Sequence, residues 1–196
     1  MGGWGHPLYK IKTLKTMAIC NALINGLDKS CFNNAGGVNK IYIADFENVT
    51  AFTTGTASAP LIGDWIDGIT MAGVTQFYEI KTNKNVCNFT EDAAIDMTNG
   101  TTFFNQVVNI VLSRRETTKR DFIEKLTAGQ KQLVLIVLDS NGNYWYFGQV
   151  EGAYVTAITG GSGTAKADAN GYTITLTAME AEQAYQVDPT IISALI

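Results

Sequence analysis

The longest apolar run in the chain is "LVLIVL", Leu133 to Leu138. Six apolar residues in a row predict a strand covered on both faces. Asp139-Ser140-Asn141-Gly142 follows, a hairpin turn signal, and "NYWYFGQV" returns antiparallel. "GYTITLTAM" alternates, with Tyr172, Ile174, Leu176 and Ala178 on one side and Thr173, Thr175 and Thr177 on the other. In "TTFFNQVVNIVLSR", Phe104, Val108, Ile110 and Leu112 share one side, and the opposite side is a mixture of Asn and Val. "IYIADF", "QFYEI", "VCNFTE" and "EQAYQV" read as further strands, and "EGAYVTAI" as a continuation of the meander.

Helical spacing occurs twice. Phe122, Ile123 and Leu126 form a stripe over 119–128, with Thr118 and Asp121 as a capping pair and Gly129 just past the end. Ile19, Leu23 and Leu27 predict a short helix over 18–29. Residues 1–16 are basic and irregular and read as an arm, with Met17 placed like a natural start. Residues 50–73 are small, polar and glycine-punctuated, which predicts a long loop. "TIISALI" after Asp188-Pro189 reads as an apolar tail. The expected fold is mainly β: an antiparallel β-sandwich or barrel over 17–196, with one flanking α-helix and a short N-terminal helix.

Composition narrows the function. Of 196 residues, 46% are hydrophobic and 16% charged, against roughly 25% charged in an ordinary soluble domain. Nineteen glycines and many Thr and Asn fill the difference. A net charge of −4 argues against tight, sequence-independent nucleic-acid binding, which needs a basic face. Cys20, Cys31 and Cys87 form no CxxC pair and read as buried thiols of a reducing cytoplasm. No stretch has the length of a membrane span, and "MAICNALINGL" is too short and polar for a signal peptide.

No catalytic, cofactor or metal site is expected. His6, the only histidine, lies in the arm. In Asp139–Asn143 a calcium loop fails, because Gly142 falls at position 4 and Val150 at position 12. "TGGSGTAK" lacks the glycine a phosphate loop needs before its lysine. Nothing in the spacing brings two of Glu79, Glu91, Asp92 and Asp96 together for acid–base work. Arg114, Arg115, Lys119 and Arg120 form a basic cluster whose functional reading is an intersubunit salt bridge. Tyr144 and Tyr146 alternate with Trp145 and Phe147, so one pair fills the core and the other meets a helix, a ligand or a partner.

Two strands apolar on both faces, few helices and an apolar tail leave more apolar surface than these elements cover. Self-association answers this, since large apolar patches mark interfaces and open sheet edges invite pairing. The expected interface residues are Trp65, Ile66, Arg114, Arg115, Tyr144, Tyr146, Ile192 and Leu195. Heterologous contacts between copies close into rings.

From about 76 to 187 the arrangement resembles the tail-tube fold of tailed bacteriophages and related contractile injection machines. The features are "TTFFNQVVNIVL", the lone helix "KRDFIEKLTAG", the hairpin "LVLIVLDSNGNYWYFG" and the closing "GYTITLTAMEAEQAYQV". It is particularly similar to structural proteins of phages and prophages of Bacteroides-like hosts. The resemblance implies a β-sandwich with a flanking helix, assembled into hexameric rings that stack into a DNA conduit. Tail tube, neck and terminator rings all stay open. It further implies contacts with other tail or neck proteins, passage of DNA without binding it, and a place in the virion after assembly in the host cytoplasm. The 50–73 loop corresponds by position to the stacking loop of tube proteins. The alternative is a carbohydrate-binding sandwich or adhesin domain using Tyr144, Trp145 or Trp65 as its platform.

Overall fold

A computed structural model describes residues 34–56 and 64–196. The arm at 1–16 and the helix expected over 18–29 lie outside the described residues. The strands are β1 (Val38–Asp45), β2 (Val49–Thr56), β3 (Asp64–Met71), β4 (Tyr78–Ile80), β5 (Asn88–Asp96), β6 (Thr101–Ser113), β7 (Leu133–Asp139), β8 (Tyr144–Phe147), β9 (Tyr154–Gly161), β10 (Gly171–Glu180) and β11 (Tyr185–Val187). The helices are α1 (Thr117–Thr127) and α2 (Pro189–Leu195). The strands form a seven-stranded sheet, β2-β3-β11-β8-β7-β1-β4, and a four-stranded sheet, β5-β6-β10-β9.

The sheets pack face to face. Leu133, Leu135 and Val137 of β7 and Ile41 and Ile43 of β1 meet Val108, Ile110, Ile174 and Leu176 of the smaller sheet, and Leu126 of α1 joins them. The opposite face of β7 is also covered, as the unbroken apolar run predicts. Val134 and Ile136 join Tyr42, Tyr146, Ile66 and Val187, with Ile192 and Leu195 of α2 on the outside. Each such side chain contributes roughly 1.5–3 kcal/mol through burial.

Several expectations change. Residues 50–73 are not one long loop, because β2 and β3 pair as a hairpin from Val49↔Met71 to Thr56↔Asp64. The tail is not free: Asp188 caps α2 by accepting from the Thr190 N–H, Pro189 starts the helix, and its apolar residues enter the core. The sheets are not wholly antiparallel, since β11 runs parallel to β3. β9 does not continue the meander from β8; it crosses to the smaller sheet and pairs with β10. Helix α1 begins at Thr117, and its N-cap Glu116 makes no side-chain cap bond, so Thr118 is not the cap. Gly129 does take the left-handed backbone of a residue past a helix end, with φ at 77°.

Candidate assembly surface

The smaller sheet presents one face to the core and one outward. Register fixes which residues share the outer face. Asn105, Val107 and Asn109 of β6 stand beside Thr177 and Thr175 of β10, and beyond them Thr90 and Asp92 of β5 and Ala157 of β9. These positions are exposed or half-buried. Hydroxyls and amides link the strands: Thr175 Oγ1 donates to Asn109 Oδ1 at 2.9 Å, and Thr156 and Thr177 share a hydrogen bond of 3.0 Å between their hydroxyls. The four strands contain no Lys, Arg or His. Their outward carboxylates, Asp92 and Asp96, lie toward one end.

That end extends past the sandwich. β10 pairs with β6 only as far as Phe104↔Glu180. Beyond it, among the described residues, Ala94–Asp96 and Thr101–Phe103 pair only with each other, as a two-stranded ribbon. The Asp96 carboxylate accepts from the Thr98 and Asn99 N–H groups and from the Asn99 amide, fixing the turn. The two backbone donors, Thr98 first, hold its pKa below the ordinary carboxylate value. Gly100 supplies the left-handed residue.

At the opposite end, Arg114 also adopts a left-handed backbone, with φ at 64°. Its N–H donates to Asn170 O, and Lys119 Nζ bridges Ser113 O and Arg114 O. Arg115 lies 5.1 Å from the Tyr172 ring centre, a cation–π contact.

Of the residues expected at an interface, Arg114 and Arg115 are exposed and Trp65 and Tyr144 half-buried. Ile66, Tyr146, Ile192 and Leu195 are buried in their own subunit. Folding of α2 and the β2–β3 hairpin covers them, which corrects the expectation of surplus apolar sheet. The aromatic run divides as its alternation predicts. Tyr144 and Tyr146 face α2, and Trp145 and Phe147 face the smaller sheet.

Asp139 accepts from the Asn141 and Asn143 N–H groups, the Asn143 amide and Trp145 Nε1. It is therefore the anchor of a turn. Buried Glu180 accepts from the Val150 and Glu151 N–H groups and fixes the connection between β8 and β9. Burial, and secondarily the Glu180 carboxylate, push the Tyr146 hydroxyl pKa up. Among the described residues no group of three His, Cys, Asp or Glu could hold a metal ion. No described helix is long and apolar enough to cross a membrane.

Sequence reasoning missed the ribbon and the polarity of the sheet. Both had signals: Asn99-Gly100 marks the tip, and no Lys or Arg occurs from Asn85 to Ser113. Comparison with family models, curated proteins and solved structures finds no match.

Proposed function

We propose that this chain is a virion structural protein of a tailed phage, the repeating subunit of a ring that stacks into a tail-tube or neck conduit for DNA. The observation that carries this is the four-stranded sheet, with an outer face that bears no cation and, among the described residues, two open edges. Its edge strands β5 and β9 are nine and eight residues long. β5, β6, β10 and β9 alternate in direction. In a rotationally symmetric ring, β9 of one copy therefore meets β5 of the next antiparallel, so the ladder continues without a break. Closure removes both edges, which otherwise invite aggregation. The Thr, Asn and Ala face then lines the lumen. With no Lys or Arg in these strands, passing phosphates displace no counterions there and the DNA slides.

On the resemblance alone, the proposed ring holds six copies and belongs to the virion after assembly in the host cytoplasm. The carbohydrate-binding reading has less support, since of its platform residues Trp145 and Tyr144 pack against the two cores, Trp145 donates its indole N–H to Asp139, and Trp65 is half-buried.

Negative-stain electron microscopy of the purified chain tests the proposal. Closed rings with a central opening are expected. Thr159→Pro in the β9 edge is expected to abolish them, because proline removes a ladder donor. Dispersed single particles of the unmodified chain at high concentration, or a glycan-binding monomer, would sink the idea.

A further inference from the structure

The structure points to a second contact between copies, head to tail along β6, in which the ribbon of one copy docks on the basic end of the next. This rests on the conduit reading and names what joins one ring to another.

The ribbon is built as a ligand. Its tip is braced by Asp96, yet among the described residues neither apolar cluster takes in Ile95, Met97 or Phe103. Ile95 is 67% exposed, Met97 93% and Phe103 39%, and Met179 beside its root is 57% exposed. An isolated two-stranded ribbon is marginal in water, and packing on another surface stabilises it. Its charge is one-sided. Asp96 lies on it and Asp92, Glu151 and Glu182 near its root, whereas no Lys or Arg occurs over 85–113, 132–165 or 167–196.

The receiving surface lies at the other end of the same strand, about 40 Å away for a strand of this length. Three loops meet there. Asn83 Nδ2 donates to Ser113 Oγ, joining the β4–β5 loop to β6, and the Arg114 N–H donates to Asn170 O, joining the β9–β10 loop. These loops and the first turns of α1 carry Lys81, Lys84, Arg114, Arg115, Arg120 and Lys166. Glu116 and Glu124 pair with Arg114 and Arg120, and with Asp121 and Asp168 of the same segments they offset part of that charge. The Arg114 side chain stays 81% exposed on a backbone conformation that disfavours residues with a Cβ. Strain of this kind persists where function requires it.

Each copy thus carries an acidic, apolar-tipped projection at one end and a basic seat at the other. Two such ends on one chain are complementary only head to tail, so the occupant is a second copy. Duplex DNA fits the basic seat but is repelled by the ribbon.

The test uses the full chain and two double variants, Ile95→Lys/Met97→Lys on the ribbon and Lys84→Glu/Arg114→Glu on the seat. Neither pair touches a core residue, and circular dichroism with thermal melting checks the fold of each. Stacks of unmodified rings are expected to separate into single rings as salt rises from about 50 to about 500 mM, because the Debye length shortens severalfold. Each variant alone is expected to give rings with stacking reduced at least about tenfold, the effect of about 1.4 kcal/mol over the whole ring–ring interface. An equimolar mixture of the two is expected to restore stacking, since reversed ribbon meets reversed seat.

Stacking that ignores both variants, or a mixture that stays unstacked, overturns the docking and leaves the ring standing. Head-to-tail chains without closed rings leave the docking standing and remove the conduit. Monomers alone overturn both. A seat variant that changes only DNA retention assigns the basic end to nucleic acid and also overturns the docking.

Discussion

Tyr146 is fully buried, and its hydroxyl has no hydrogen-bond partner among the described residues. Burial keeps it protonated in the fold, while an exposed tyrosine ionises near pH 10. The sign follows: the raised folded pKa gives stability that is complete below about pH 10 and is lost as pH rises above it. Tyr146→Phe is expected to abolish that part of the alkaline loss. It is also expected to raise stability at pH 7 by about 1 kcal/mol, since an unsatisfied group is removed. Urea midpoints at pH 7 and pH 11 check both, and a destabilised Phe variant would mean the hydroxyl is satisfied. Asp139→Ala is expected to cost about 2–3 kcal/mol, because its carboxylate satisfies four donors. Chemical denaturation reads this, and a change under about 0.5 kcal/mol, typical of a bland surface site, contradicts the anchoring role. The turn at Asp139 was legible because Asp-x-Asn-Gly acts locally. Its bond to Trp145 was not, because it depends on where β8 places the indole.

Among the elements, α2 is short and has a large effect. Ile192 and Leu195 close the outer core over Val134, Ile136 and Tyr146. Ile192→Ala is expected to cost about 2–4 kcal/mol, read as a fall in denaturation midpoint with an unchanged m-value. If the loss is under about 1 kcal/mol, α2 is a loosely held lid. Its start was written in the sequence as Asp188-Pro189, a cap followed by proline in the first turn. Seven residues are too few to hold a helix without tertiary packing, so the apolar run read as a tail. The β2–β3 hairpin was hidden differently. Register shifts at Val49/Ala51 and Thr53/Thr54 break the two-residue period, and glycines blur the remainder. β10 was legible from end to end because its alternation is unbroken and one of its faces is buried.

For the whole molecule the informative quantity is where charge is absent. Thr175→Lys/Thr177→Lys is expected to make the assembled protein retain duplex DNA, with affinity falling steeply as salt rises, while the unmodified protein retains little. Electrophoretic shift at several salt concentrations measures this, and equal retention by both proteins would contradict a lumen on that face. The two-layer architecture could be read from strand patterns. The way the chain covers its own central strand could not, because that depends on elements distant in sequence. β11 shows this most clearly, for it sits between β3 and β8 and joins the β2–β3 hairpin to the remainder of the larger sheet. A nascent polypeptide that has not yet delivered residues 185–195 therefore holds that sheet as two separate pieces, with Val134 and Ile136 uncovered. Synthesis itself thus times the appearance of a finished protomer, and translation products halted before that point are expected to be material for proteases.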